Sequence, residues 1–166
     1  MVIYTKLEIE SVEYSDATQI NINKNMGDFN ATSSFEIILP NDSGQYDDTF
    51  ALNEEVKIYA DLDVNPATTK IFLGIIENIN FKGKANKEDI ILSGRDYGAI
   101  LQDILISPRI FKNQEASSIV RSLMTQNAAG TGITVDNVNS SGIAIDRITL
   151  NNISLFDSIK VEIINT

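Results

Sequence analysis

KIFLGIIENINF (Lys70–Phe81), the polar break KGKANK, EDIILSG (Glu88–Gly94) and then RDY (Arg95–Tyr97) form the stretch on which the fold turns. Two runs rich in β-branched residues flank a short polar turn, which predicts an antiparallel hairpin. Gly74, inside the longer run, marks a bend, a bulge or a close approach of another backbone. After Gly94 the apolar period changes from two to about 3.6, so the hairpin also ends the strand-rich part of the chain.

Toward the N-terminus the alternation continues. KLEIESVEY sets Leu7, Ile9 and Ser11 against Glu8, Glu10 and Val12, and TQININKN sets Ile20 and Ile22 against Asn21 and Asn23. SSFEIILP (Ser33–Pro40) puts Phe35, Ile37 and Leu39 on one face, with Pro40 closing it, and EEVKIYADL does the same with Val56, Ile58 and Ala60. Six such strands joined by polar loops predict a small antiparallel barrel or sandwich over residues 1–95.

Residues 96–166 read differently. Asp96 is placed to cap a short helix carrying Ile100, Leu101, Ile104 and Leu105, which Pro108 stops before the extended PRIFKN. NQEASSIVRSLMTQNAAG is amphipathic, with Ala116, Ile119, Val120, Leu123 and Met124 as its stripe and Gly130 at its end. ITVDNV and DRITLNN read as strands. In NISLFDSIKVEIINT, Ser154 and Asp157 resemble a capping box ahead of the apolar Leu155, Ile159 and Ile163. This last helix reaches the end of the sequence with no glycine stop, so more of the domain is expected to follow. The expected fold class is therefore α+β, mostly β: a small antiparallel barrel or sandwich at 1–95, then a part at 96–166 that mixes helices and strands.

Composition removes whole classes of chemistry. Among 166 residues there is no Cys and no His, so there is no thiolate nucleophile, Cys-held zinc, imidazole base or His-ligated metal. Thirteen Lys and Arg stand against twenty-three Asp and Glu, a net charge of −10 that repels phosphate backbones and anionic membrane surfaces. No run approaches the ~18 apolar residues of a membrane span. The N-terminus lacks a basic segment followed by an apolar one, so no signal peptide is evident.

The remaining motifs are thin. Asp61-x-Asp63-x-Asn65 copies the opening of a calcium loop, but Pro66 stands where the loop needs Gly and Phe72 where it needs the bidentate Glu. Asp42, Asp47 and Asp48 gather around Gly44 and read as Asx-turns. Gly130-Thr131-Gly132 ends a helix where a phosphate loop would open one, and Gly83-Lys84-Ala85 lacks the flanking residues of a nucleotide loop. Asn30-Ala31-Thr32 and Asn152-Ile153-Ser154 match glycosylation acceptors, which mean little without a signal peptide. A glycosidase carboxylate pair needs neither His nor Cys, but twenty-three acids give no means of choosing one. No catalytic residue, metal site or cofactor is assigned. Arg95, Asp96 and Tyr97 read as a structural junction: an ion pair to an acidic neighbour, a helix cap and a cover between the two parts.

The ordered series SSFEIILPNDSGQYDDTF, EEVKIYA, KIFLGIIENI and IILSGRDYGAIL, followed by PRIFKN, SIVRSL and LNNISLFDSI, resembles the N-terminal half of phage baseplate hub proteins related to the late-control protein D family. The motif positions are Phe35, Leu39, Gly74, Gly94, Arg95, Asp96 and Tyr97. The resemblance implies a tail-tube-like barrel followed by an inserted α/β domain. It implies a homotrimer whose ring joins tail tube to spike in the virion of a phage, a prophage or a related contractile injection machine, with assembly in the host cytoplasm. Tail tube, spike and other baseplate proteins would be its partners. DNA would pass the lumen without specific binding, no membrane would be bound, and no cofactor or catalysis is implied. Two other readings compete with this one. The first is a non-catalytic β-domain that binds carbohydrate or protein; it is weakened by 7% aromatics and no Trp. The second is a fragment of a tail-associated cell-wall hydrolase.

Overall fold

The structure, a computed structural model, describes residues 1–24, 32–84 and 87–163, with only the backbone of 84, 87 and 161–163. The chain forms two compact units, Met1–Tyr97 and Gly98–Thr166.

The first unit is an antiparallel sheet of seven strands among the described residues: β1 (Ile3–Ile9), β2 (Val12–Tyr14), β3 (Gln19–Asn23), β4 (Ser34–Pro40), β5 (Glu55–Leu62), β6 (Lys70–Lys84) and β7 (Lys87–Asp96). Their order is β2-β1-β5-β6-β7-β4-β3, and the sheet curls into a half-barrel. One face is the core. Leu7 and Ile9, Phe35, Ile37 and Leu39, Val56 and Ile58, Phe72 and Ile76, and Ile90 and Leu92 are all buried there. Each stabilises the fold by about 1.5–3 kcal/mol relative to exposure, which is why period two dictates the register.

The sequence predicts six strands; the seventh comes from a turn hidden inside KLEIESVEY. Glu10 and Ser11 both take positive φ, 48° and 67°, and Ile9 pairs with Val12. This is the two-residue hairpin whose twist suits adjoining strands. Neither turn residue is Gly or Asn, so nothing in the composition announces it. Val12, expected opposite Ile9, lies instead directly across from it, and more than half of its surface is exposed.

β6 and β7 form the expected hairpin, although Ala85 and Asn86 of its turn lie outside the described residues, as does Asn25 at the end of TQININKN. Of the glycosylation-like Asn30-Ala31-Thr32, only Thr32 is described.

In the second unit, α1 (Gly98–Asp103), β8 (Arg109–Glu115), α2 (Ala116–Asn127), β9 (Ala144–Leu150) and α3 (Leu155–Ile163) follow in order. β8 and β9 pair antiparallel. Their inner residues Phe111, Ile145, Ile148 and Leu150 join Ile119 and Leu123 of α2 and Leu155 of α3 in one apolar cluster. At the head of α3 the Ser154 hydroxyl accepts from the Asp157 N–H at 2.9 Å and donates to the Asp157 carboxylate at 2.7 Å. This satisfies one of the helix's orphan donors.

Three expectations need correction here. The first helix does not reach Leu105: it ends at Asp103, because Ile104–Ile106 pairs instead with residues 153–155. Ile106 N–H donates to Ile153 O and Leu155 N–H to Ile104 O, while Leu105 points outward, 73% exposed. ITVDNV is not a strand. Val138 N–H turns back onto Val135 O, and Ile133 and Val135 pack against the cluster from an irregular loop. Short apolar runs do not distinguish these two cases. Gly130 takes the left-handed conformation, φ 84°, but two residues beyond the Ala128 cap and within the turn from Ala128 to Thr131.

Candidate functional site

Five of the seven motif residues meet along the seam between β6 and β7. Gly74 faces Asp96 and Gly94 faces Ile76 across the ladder. The two backbones are so close that a Cβ on Gly94 would lie 1.9 Å from the Ile75 carbonyl oxygen. A Cβ on Gly74 would lie 2.3 Å from that of Arg95. The space above both glycines is filled by rings. Phe72 stands over Gly74 and Phe35 over Gly94, and the two rings meet edge-to-face at 5.4 Å. The spacing Phe-x-Gly in β6 and the Phe35–Gly94 cross-strand pair are thus one packing unit.

Immediately past the glycines the register shifts between Ile76 and Asn78, leaving Glu77 as the extra residue of a bulge. The core phase of β6 changes there, from Phe72 and Ile76 to Ile79. Glu77 receives the Arg95 guanidinium in a fork: Nε donates to Oε2 at 2.8 Å and Nη2 to Oε1 at 2.6 Å. The acidic neighbour anticipated for Arg95 is therefore Glu77, a residue that only the bulge brings into reach.

Asp96 clasps the residue ahead of β4. Its N–H donates to Ser33 O at 2.9 Å and its Oδ2 accepts from Ser33 N–H at 2.8 Å. The expectation that Asp96 caps α1 did not include this clasp, which spans 63 residues of sequence. The Tyr97 hydroxyl donates to Glu55 Oε2 at 3.0 Å, and burial together with that carboxylate pushes the phenol up to about 12. Glu55 itself is held below the usual carboxylate range, first by the Lys57 ammonium. Leu39 stands apart from the seam, fully buried opposite Ile90.

On the solvent face, Asn21, Asn23, Ser34, Ser93 and the Arg95–Glu77 pair line an open groove of about 380 Å³. Glu36 in this groove accepts from Asn21 at 3.3 Å and Glu77 is committed to Arg95. The groove therefore offers hydrogen-bonding groups, with its two carboxylates already engaged by Asn21 and Arg95.

Several acids of the acidic motifs are taken up by hydrogen bonds within the fold. Asp61 Oδ2 accepts from Thr68 N–H, Thr69 N–H at 2.9 Å and the Thr68 hydroxyl at 3.1 Å, and the Thr69 side chain first, then these donors, hold its carboxyl at about 2. Asp63 accepts from Val2 N–H at 2.8 Å. In the Asp42–Asp48 loop the organiser is a buried residue that the sequence reading passed over. Asn41 accepts from Tyr46 N–H through its side chain and from Gly44 N–H through its backbone, and donates to Asp47 at 2.8 Å. Glu77, Ser33, Glu55 and Asn41 are the residues sequence reasoning missed. Only Asn41, directly after the strand-ending Pro40, carried a local signal.

No protein-family pattern matches the sequence, and no curated protein matches it. Solved structures do. A tail protein from Neisseria meningitidis MC58 aligns at a TM-score of 0.70 and 14% identity, over 98% of this chain and 45% of that one. The 43 kDa tail protein of prophage MuSo2 from Shewanella oneidensis aligns at 0.68 and 16% identity, over 95% and 46%. The chain has the fold of phage tail proteins. The E. coli c3393 protein, a component of the type VI secretion system with structural similarity to the T4 tail proteins gp27 and gp5, follows at 0.61, 12% identity, 93% and 41%. The chain spans under half the length of each of these structures. In this tail-protein fold the β6–β7 seam is a device of packing and register.

Proposed function

We propose that this chain is a structural, non-catalytic subunit of a phage tail baseplate hub. In this reading, residues 1–95 are a tail-tube-like barrel and residues 96–166 begin an inserted domain that decorates it. Three copies, each completed by a second barrel, form a ring of pseudo-sixfold symmetry between tail tube and spike, within the virion of a phage or a related contractile machine. The observation that carries the reading is the agreement of fold across 98% of the chain with a protein described as a tail protein. The open half-barrel adds support, since sheet edges that are not closed on themselves are suited to pairing with a neighbour. An acidic ring also suits passage of DNA, because its lumen would not retain phosphates.

Electron-microscopy class averages test this. A ring of three subunits with an open centre and six lobes is expected from the chain carried in its complete gene product. Compact monomers from that product would sink the hub reading. Clearing of a cell-wall gel by the purified protein would sink its non-catalytic part.

A further inference from the structure

The charge of the chain is unevenly divided. Met1–Tyr97 carries eight Lys and Arg against seventeen Asp and Glu, a net of −9, while Gly98–Thr166 carries five against six, a net of −1. Within the nearly neutral unit, the solvent face of the β8–β9 sheet is basic. Lys112 and Arg147 lie directly opposite one another in the ladder, and both are exposed. Among the described residues no carboxylate forms an ion pair with either. Beside them Ile110, half exposed, pairs with Thr149. Like charges directly opposite on a sheet are unfavourable to the fold that holds them. An anionic surface seated on this face would relieve that repulsion.

We infer that the outer face of β8–β9 is a docking surface for the acidic Met1–Tyr97 unit of a second copy of this chain. Charge complementarity argues for that occupant: the unit of net −9 is the one strongly anionic body the molecule supplies. At the β2 edge it presents exposed Glu13 and, in the adjoining turn, exposed Glu10, whose Oε1 accepts from Glu55 N–H at 2.8 Å. Carboxylates of that unit meet Lys112 and Arg147. Such a contact joins two different surfaces, the heterologous kind that builds a ring when its rotation closes and a filament when it does not. The inference rests on the assembly reading above and adds the face through which copies meet.

The test is sedimentation of the unaltered chain and of Arg147→Glu at about 0.15 M salt. There a Debye length of about 8 Å removes the long-range repulsion between chains of −10 but leaves contact pairs intact. The unaltered chain is expected to self-associate, more weakly at about 1 M salt, and the variant to associate about a hundredfold more weakly. The melting temperature of the variant should stay level or rise, because the substitution replaces an opposed like pair with an opposite one. Lys112→Glu should behave alike. Carbodiimide coupling of a mixture of light and heavy-isotope chains should join Lys112 of one copy to a carboxylate of residues 1–97 of another. Equal association of variant and unaltered chain would remove this surface while leaving the tail reading standing. A chain that stays monomeric, or that couples only through other lysines, would also overturn the inference. Capture of a different acidic tail protein by this face would replace the second copy as occupant.

Discussion

Gly94→Ala places a methyl group where the structure has a carbonyl. The new Cβ would fall 1.9 Å from the Ile75 oxygen and 3.0 Å from a carbon of the Phe35 ring. Carbon–oxygen contacts across a sheet settle at about 3.3–3.6 Å, so β6 and β7 must part by more than about 1 Å. The obstacle is main chain and has no rotamer to escape into. Overpacking costs about 1–3 kcal/mol even where side chains can shift, and each ladder hydrogen bond stretched adds about 0.5–1.5 kcal/mol. A loss of about 3 kcal/mol or more follows, out of a stability of about 5–15 kcal/mol. For a unit of about 100 residues, 1 kcal/mol moves the melting midpoint by about 4–8 °C, so a fall of about 12 °C or more is expected. The assay can be confined to the affected unit, because all five tyrosines (Tyr4, Tyr14, Tyr46, Tyr59 and Tyr97) lie in Met1–Tyr97. Near-ultraviolet circular dichroism of tyrosine therefore reports that unit's melting alone. Gly132→Ala is the control. It sits at φ 79° with nothing within 4 Å, so it pays only left-handed strain, about 1–2 kcal/mol, and in the other unit. A Gly94→Ala midpoint within about 2 °C of the unaltered chain would refute the close-approach argument.

Other substitutions separate the remaining terms. Arg95→Ala should cost no more than about 1 kcal/mol by urea unfolding, since the Glu77 pair is forked but its Arg is 36% exposed. A double-mutant cycle with Glu77→Gln checks that the loss is shared. Ser154→Ala should cost about 1 kcal/mol and speed amide exchange in the first turn of α3, where its hydroxyl accepts from Asp157. Asp61 and Glu115 are both held at about 2 by donated hydrogen bonds, Asp61 first by the Thr69 side chain and then by the Thr68 and Thr69 N–H groups, Glu115 first by Ser140. Depressed carboxyls contribute stability above their unfolded values and lose it as pH falls toward about 2. Thermal melts of Asp61→Asn should thus show a shallower acid slope than the unaltered chain between about pH 4 and 2. The Tyr46 and Tyr97 phenols, pushed up to about 12 by burial and a carboxylate, contribute stability present below the ordinary tyrosine range and lost as pH rises through about 12. Ultraviolet titration should show tyrosinate from these two forming last.

What could be read from the sequence divides along physical lines. Period two in SSFEIILP, EEVKIYA and KIFLGII was legible because burial of alternate residues is the dominant energy, and Phe35, Ile37, Val56, Ile58 and Phe72 all lie in the core. Gly74 was legible as a special position, a bend, a bulge or a close approach, and the structure selects the close approach. Residues 9–12 were not, since a turn at Glu10–Ser11 uses positive φ in residues that usually avoid it. Leu105 misled because an apolar residue at helical spacing looks the same whether it packs or sits outside a bridge to Ser154. The clasp from Asp96 to Ser33 and the fork from Arg95 to Glu77 are long-range consequences of register. Of these two junction residues, local sequence identified the donors and acceptors but not their partners.

The same division explains how the fold can be shared at 14% identity. In this chain the sheet rests on an alternating apolar face, with two glycines where strands nearly touch and rings filling the space above them; an alternating apolar pattern can survive almost complete replacement of individual side chains. Charge is under no such constraint. The fold does not require that Met1–Tyr97 hold seventeen acids against eight bases, nor that Lys112 stand opposite Arg147. Features the fold does not need, and which by local energetics it would be better without, are where the demands of assembly are to be sought. On that argument the glycine seam explains why the first unit folds, and the distribution of charge is what the proposed contact between copies would use.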